Sequence, residues 1–162
     1  MWSLQENSMN EQEIKEQLCD VCHKMWQLGW VAANDGNVSV KLEDGTFFAT
    51  PAGMSKSFIT PDKLVRINDK GEVPEAIKPY LQEHDVMLLQ NHGALTVGAD
   101  LITAYCRMET LELFAKISLN AHLLGGAQEI SRENIDRLCS MRAQYGVTGK
   151  HPGYKKYPNG QN

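Results

Sequence analysis

The pattern of apolar and polar positions predicts four helices, two hairpins and one further strand. The first helix follows Asn10, a favourable N-cap with Glu13 at the capping-box spacing, and Gly29 is a natural stop. Apolar residues recur at helical spacing between these positions and form one stripe that should face a core. The stripe consists of Ile14, Leu18, Val21, Cys22, Met25 and Trp26.

Three later segments also have helical character. Residues 74–84 predict a helix that Pro79 should kink or cap early, because proline has no amide hydrogen. Asp100 caps a long helix that ends at Gly125-Gly126, and Ser131 caps the last helix. The apolar faces consist of Leu101, Ala104, Tyr105, Met108, Leu111, Ala115 and Leu119 in the long helix, and of Ile135, Leu138 and Tyr145 in the last.

Short alternating or apolar runs between the helices predict the strands. Residues 38–42 and 47–50 flank a polar turn and form the first hairpin, and residues 64–67 form a lone strand. Residues 86–89 and 94–97 are the arms of a second, more apolar hairpin. This order of elements indicates an α/β or α+β sandwich in which helices cover a central, mostly antiparallel sheet.

The turn of the second hairpin, Asn91-His92-Gly93, is polar although its flanks are apolar. A neutral imidazole held at a strand end suits a metal ligand or a proton carrier, and glycine lets the backbone approach a ligand closely. A turn histidine that merely hydrogen-bonds to a neighbour explains the same tripeptide. From these residues alone, both interpretations stay open.

Two further glycine-containing loops, at Gly36-Asn37 and at Ala52-Gly53, flank the strands of the first hairpin. Loops of this kind can direct several backbone N–H groups at one anion if they meet at the same edge of a sheet. Neither loop matches a phosphate-binding P-loop, and ordinary turns explain both sequences equally well.

Composition and charge limit the classes of function. The chain has 162 residues, enough for one domain with a core, and its net charge of −4 argues against a nucleic-acid surface. No apolar run approaches a membrane span and no signal peptide is evident, so we expect a cytoplasmic protein without a membrane partner. We expect a flexible lead-in over residues 1–9, a domain over 10–145 and a C-terminal arm over 146–162.

Four cysteines occur, and Cys19-Asp-Val-Cys22-His23 matches the C-x-x-C-H pattern of c-type haem attachment. The pattern lies inside the first predicted helix, where Cys22 belongs to the apolar stripe. We therefore expect Cys22 to be buried, and both Cys19 and Cys22 to be reduced and free of metal. A redox pair or a haem site is the competing interpretation.

Three motifs in this order resemble the class II aldolase/adducin family, whose best-known enzyme is fuculose-phosphate aldolase. The matching segments are Gly36-Asn-Val-Ser39, Thr50-Pro-Ala-Gly53 and Leu89-Gln-Asn-His-Gly-Ala94, with Gly98 and a following helix rich in Glu and Ala. The resemblance covers nearly all of residues 11–145. It implies a class II aldolase-like fold, an active site between the subunits of a cyclic homotetramer, and a divalent metal, most often zinc, held by three histidines.

The resemblance also assigns site residues. It makes His92 the third metal ligand, and it places the substrate phosphate on Gly36, Asn37, Ala52 and Gly53, mostly through backbone N–H groups. A C-terminal tyrosine that helps protonation from a neighbouring subunit corresponds to Tyr145.

One departure from the family pattern lies between the predicted strand near Val65 and the helix near Ile77. Family members carry there a Ser-Ser-Glu segment, which supplies the general base, followed by a His-x-His pair, which supplies the other two metal ligands. In this sequence Gly71-Glu-Val73 continues directly into Pro74-Glu-Ala76, so the block is absent near 73–74. Either the sequence omits residues of the natural molecule or the chain is genuinely shortened.

Two functions from different classes follow. The first is a metal-dependent aldolase-type lyase that acts on a small phosphorylated sugar or sugar acid through an enediolate intermediate. Relatives also carry out epimerisation, decarboxylation and dehydration by the same chemistry, so the reaction stays open. The second is a non-catalytic scaffold or oligomerisation module of the adducin type, or an inactive shortened chain.

Overall fold

The computed structural model describes residues 9–68, 76–142 and 144–146. The chain forms two compact units. The first unit comprises Met1–Glu72 and Ala99–Tyr105, and the second comprises Val73–Gly98 and Cys106–Asn162. The junction near 73–74, almost all of the lead-in and almost all of the C-terminal arm lie outside the described residues, so the expected domain boundaries stay predictions.

Helix α1, Glu11–Gln27, begins and ends where the sequence predicts. The Asn10 side chain accepts a hydrogen bond from the Glu13 amide at 3.0 Å, and the Glu13 carboxylate accepts one from the Asn10 amide at 2.8 Å. This reciprocal capping box satisfies two amides that the first helical turn leaves without partners. The helix ends before Gly29, whose φ of +72° suits glycine.

The first unit contains a three-stranded antiparallel sheet in the order β1 (Ser39–Lys41), β2 (Phe47–Ala49), β3 (Val65–Ile67). Two 3₁₀ turns, Lys56–Phe58 and Pro61–Lys63, connect β2 to β3 and pack against α1. The core lies between α1, the sheet and these turns. Its buried apolar side chains are Leu18, Cys19, Val21, Cys22, Val38, Leu42, Phe48, Ile59, Leu64 and Leu101.

The second unit contains helix α2 (Lys78–Leu81), the hairpin of β4 (Val86–Leu89) and β5 (Gly93–Thr96), and helix α4 (Arg132–Met141). Helix α3, Leu101–Leu123, begins in the first unit and continues in the second. The hairpin and the Ser131 cap agree with the sequence prediction. The second helix is shorter than expected, since Pro79 is restricted to the first turn of α2.

The fold class is confirmed as helices combined with antiparallel strands. In finer detail, the described strands form two separate sheets. The predicted apolar face of α3 is buried only at its start, where Leu101 joins the first unit's core and Tyr105 stacks on Trp30 at 5.7 Å. Within the described residues, no helix combines the length and apolar character needed to cross a membrane.

Candidate functional site

The two glycine loops of the first hairpin leave the same end of the sheet. Val38 and Thr50 extend the β1–β2 pairing by one step, because the Thr50 amide donates to the Val38 carbonyl at 3.0 Å. The Val38 amide in turn donates to the Thr50 hydroxyl at 3.2 Å. Residues 34–37 precede this double contact and residues 51–54 follow it, so the two segments are neighbours, hereafter called the loop pair.

The backbone of the loop pair favours glycine at two positions. Gly36 has a φ of +72° and Gly53 a φ of +74°, a region that other residues adopt only rarely. A Cβ atom on residue 36 would also lie 2.7 Å from Cγ1 of Val31, whereas residue 53 has open space. Gly36 is therefore fixed by both conformation and packing.

Several amides of the loop pair are available to a ligand. Among the described residues, no hydrogen bond uses the backbone N–H of Gly36, Asn37, Ala52 or Gly53. All four residues are exposed. Exposed N–H groups without internal partners on adjacent turns can bind an anion, which is the chemistry that the sequence resemblance implies for these residues.

Two polar residues, Thr50 and Lys56, are buried in the described chain, and both lie next to the loop pair. The Lys56 side chain is 0% exposed, and its ammonium donates to the Met54 carbonyl at 3.3 Å. Burial lowers the pKa of Lys56, while the nearby Cys22 and Asp35 act to raise it. Sequence reasoning did not single out Lys56, because lysine in a polar loop normally extends into solvent.

The turn that carries His92 has an unusual backbone. Asn91 has a φ of +56°, Gly93 a φ of +131°, and the His92 amide donates to the Leu89 carbonyl at 3.1 Å. The His92 side chain is exposed at this end of the hairpin. His92 belongs to the second unit and the loop pair to the first, so a joint site of metal and phosphate groups stays a prediction.

The part of the chain that the structure describes contains no metal site at His92. Among the described residues, no group of three or more His, Cys, Asp and Glu side chains could hold a metal ion. A catalytic zinc needs about three protein ligands. The described part of the chain therefore does not fit the metal that the family resemblance implies. Tyr145 lies just after α4 and is exposed.

The C-x-x-C-H segment is part of the core, as predicted. Cys19 and Cys22 are buried free thiols. Burial raises the pKa of Cys19 to about 11 and that of Cys22 to about 12. Nε2 of His23 lies 3.0 Å from the Ile59 carbonyl and links α1 to the loop before the second 3₁₀ turn. Both thiols belong to the first unit's core, so they contribute to its packing.

Three relatives with assigned activities match parts of the chain. Methylthioribulose-1-phosphate dehydratase of Microcystis aeruginosa is 38% identical over 58 residues, which is 36% of this chain and 28% of the relative. L-fuculose phosphate aldolase of Methanocaldococcus jannaschii is 37% identical over 43% of this chain and 38% of the relative. The 3-oxo-tetronate 4-phosphate decarboxylase of Escherichia coli K12 is 30% identical over 43% of this chain and 32% of the relative. The chain thus matches between 28% and 38% of these relatives' lengths.

Two solved structures share the fold. L-fuculose 1-phosphate aldolase from Glaciozyma antarctica superposes with a TM-score of 0.71 over 83% of each chain, at 16% identity. L-fuculose-1-phosphate aldolase from Thermus thermophilus superposes with a TM-score of 0.61 over 73% of this chain and 98% of the other, at 21% identity. At such low identity these similarities concern the fold alone.

The family profile described as Class II Aldolase and Adducin N-terminal domain matches in two pieces, residues 16–80 and 69–119. Together the pieces include both glycine loops and the His92 turn, and they cover well over half of the chain. The two pieces overlap over residues 69–80. The chain belongs to the class II aldolase and adducin family.

Proposed function

We propose that the protein is an aldolase-type lyase that acts on a small phosphorylated sugar or sugar acid, whose phosphate binds to the loop pair. The observation that carries the proposal is that the exposed residues Gly36-Asn37 and Ala52-Gly53, on two adjacent turns, have N–H groups without a hydrogen-bond partner among the described residues. A phosphate monoester offers several acceptor oxygens, so it can use all of these donors at once.

The relatives support the phosphate more strongly than any single reaction. By name they are a dehydratase, an aldolase and a decarboxylase, and each name contains a small phosphorylated substrate. Substrates that share a phosphate but undergo different reactions are expected when related proteins keep a common phosphate-binding site and vary the residues around the reacting atoms. We therefore propose the class of substrate, and activity assays would decide among dehydration, aldol cleavage and decarboxylation.

In this proposal the protein's own residues bind and orient the substrate. The loop N–H groups hold the phosphate, and the Asn37 side-chain amide supplies a further donor next to them. Tyr145 is assigned a proton-transfer role from a neighbouring subunit of a homotetramer. The four free cysteines support a reducing compartment, which is why we place the reaction in the cytoplasm.

The metal-dependent part of the proposal requires ligands beyond the described residues. His92 is the assigned zinc ligand, and no group of three candidate ligands exists among the described residues. The two pieces of the family match meet over residues 69–80, which supports the proposal that an internal block of the family pattern is missing there. We therefore assign the zinc-dependent reaction to a form of the protein that contains this block, and derive no step through a metal in the present chain.

The absence of the block favours a second candidate. Without the Ser-Ser-Glu and His-x-His residues, the chain lacks the family's general base and two of its ligands. Such a chain would act as a non-catalytic module of the adducin type or as an inactive shortened form. The two candidates differ in zinc content and turnover, since a scaffold would carry no stoichiometric zinc.

The direct test begins with the mass of the natural protein. An intact mass above the 18.1 kDa of this chain would show that residues were omitted. Zinc content by elemental analysis and turnover of L-fuculose 1-phosphate, methylthioribulose 1-phosphate and 3-oxo-tetronate 4-phosphate would then be measured on that protein. About one zinc per chain and turnover of one of these compounds are expected for the lyase.

Two histidines of the second unit provide a matched pair for the metal assignment. His92→Ala should lower zinc affinity about ten-fold or more. His84→Ala, just before β4 at the open end of the same hairpin, should leave zinc affinity unchanged. A natural mass equal to this chain, with no zinc and no turnover, would establish the non-catalytic candidate instead. Equal zinc affinity in both variants would remove His92 from the site.

A further inference from the structure

A buried charge near the surface loops of the first unit is unexplained by packing. Lys56 is the largest fully buried side chain among the described residues, and the other large side chains that are fully buried, Leu18, Ile59 and Cys22, carry no charge. A buried ammonium costs several kcal/mol unless it is paired or hydrogen-bonded. Among the described residues, its hydrogen-bond acceptor is a single neutral carbonyl, that of Met54, at a long 3.3 Å.

The position of this ammonium relates it to both halves of the loop pair. Met54, whose carbonyl accepts its hydrogen bond, directly follows Gly53. Asp35, whose charge acts on Lys56, directly precedes Gly36. Among the described residues, neither Asp35 nor any other carboxylate forms an ion pair with Lys56. The positive charge therefore lies next to Met54, at the end of the second loop, and within electrostatic range of Asp35 in the first.

We infer that Lys56 is a positioning residue for the phosphate, which supplies next to the loop pair the positive charge that an anion on its N–H groups requires. The inference rests on the proposed phosphate site. Its ammonium donates to the Met54 carbonyl, directly after the second loop, and its field favours an anion bound nearby. The bound phosphate then offsets the burial of the charge.

A purely structural role predicts the opposite pattern of effects. If Lys56 existed only to hold the Met54 carbonyl, its replacement by methionine would lower stability and leave anion affinity almost unchanged. If Lys56 serves the anion, methionine of similar length should pack in its place at little cost, or even raise stability, while anion affinity falls. A structural role therefore predicts a loss of stability with unchanged anion affinity, whereas a role in anion binding predicts a loss of affinity with unchanged or higher stability.

The experiment is a calorimetric titration of the full chain with inorganic phosphate, together with urea unfolding of each variant. Lys56→Met should raise the phosphate Kd about ten-fold or more and leave the free energy of unfolding equal or higher. Lys63→Met is the matched control, because this exposed lysine also donates to a carbonyl, that of Phe58, at 2.9 Å. It should change the Kd by about two-fold or less.

A second variant covers the case in which Lys56→Met does not fold. Asp35→Asn removes the nearby negative charge and should lower the phosphate Kd, since Lys56 then acts on the anion unopposed. A folded Lys56→Met with the parent affinity would overturn the inference while leaving the phosphate site intact. If Lys56→Met does not fold, an unchanged Kd in Asp35→Asn overturns it. No phosphate binding by the parent chain would overturn both the site and the inference.

Discussion

The two compact units of this protein contain comparable elements but differ in burial. The first unit has a three-stranded sheet, one long helix and a core of fully buried side chains. The second has a two-stranded hairpin and most of α3, and none of its described residues is buried. Large apolar side chains of α3 and the following turn are exposed instead: Leu113, Phe114, Ile117, Leu119, Leu123 and Leu124.

The difference follows the division of the chain near Glu72. The first unit is built mainly from residues before this point, and it has its own buried core. The second unit is built mainly from residues after it, and among the described residues its hairpin is a two-stranded sheet, which is marginal in water on its own. Exposed apolar side chains in such numbers normally face another segment or another subunit. Within the described residues, the second unit therefore leaves the apolar side chains of α3 uncovered.

The largest expected difference is in the free energy of unfolding of two leucine-to-alanine variants, one in each unit. Leu18→Ala, in the first unit's core, should cost about 2–5 kcal/mol of unfolding free energy because it leaves a cavity. Leu113→Ala, on the exposed part of α3, should cost about 0.5 kcal/mol or less in dilute solution. Urea unfolding at several protein concentrations measures both. A cost for Leu113→Ala that matches Leu18→Ala at every concentration would contradict the contrast between the units.

The next effect concerns alkaline pH and the buried thiols. The pKa values of Cys19 and Cys22, about 11 and 12 in the folded chain, lie above those of the unfolded thiols. Between about pH 9 and these values, the folded state retains protons that the unfolded state has lost, so stability falls as pH rises. The fall should approach about 1.4 kcal/mol per pH unit for each thiol.

Charged neighbours also affect the pKa values of the two thiols, and a variant of each kind of cysteine separates the contribution of burial. Asp20, Asp62 and Glu16 raise the pKa of Cys19, and Lys56 lowers that of Cys22. The lowered pKa of Lys56 contributes with the opposite sign, because there the unfolded state holds the extra proton. Cys22→Ala should flatten the alkaline slope, whereas Cys106→Ser, at an exposed position, should not. Equal slopes in both variants would contradict the assignment.

A smaller effect should distinguish two glycines at opposite ends of the first hairpin. Gly45→Ala strains a turn with a φ of +84° but meets open space, and should cost about 1–2 kcal/mol. Gly36→Ala carries the same strain and adds a 2.7 Å approach to Val31. We expect an additional cost of about 1 kcal/mol or more, measured by thermal unfolding. Equal costs would show that the Gly36 loop adjusts freely.

The smallest effect concerns ion pairs of the second unit. Arg107 donates to the Asp85 carboxylate at 2.9 Å and to the Val97 carbonyl, and so ties α3 to the base of the hairpin. Arg107→Met should cost about 1 kcal/mol, whereas Glu112→Gln, which removes an exposed pair with Lys116, should cost about 0.5 kcal/mol or less. Similar losses in the two variants would show that the Arg107 contact does not organise this unit.

The sequence predicted well those features that depend on neighbouring residues. The Asn10 capping box, the Ser131 cap and the second hairpin all follow from local rules, and the structure confirms each of them. The helix predicted over 74–84 was wrong in extent, since the described helix is Lys78–Leu81 and Pro79 belongs to its first turn. A periodicity that spans a proline is a weak guide to helix length.

Features that depend on tertiary packing could not be predicted in this way. The burial of Lys56 depends on how α1 and the 3₁₀ turns enclose it, and its polar surroundings in the sequence suggest exposure. The exposure of Leu119 contradicts the apolar face predicted for α3, because periodicity indicates which face is apolar and not whether a partner covers it. The site roles of Asn37, His92 and Tyr145 come from family resemblance and stay predictions.

The most direct test of the phosphate site is an amide NMR titration of the full chain with inorganic phosphate, against sodium chloride at equal ionic strength. The account predicts saturable shifts of the Gly36, Asn37, Ala52 and Gly53 amides, with no shift of Gly45 at the far end of the same hairpin. Unmoved loop amides, or shifts as large at Gly45 as at Gly36, would contradict it.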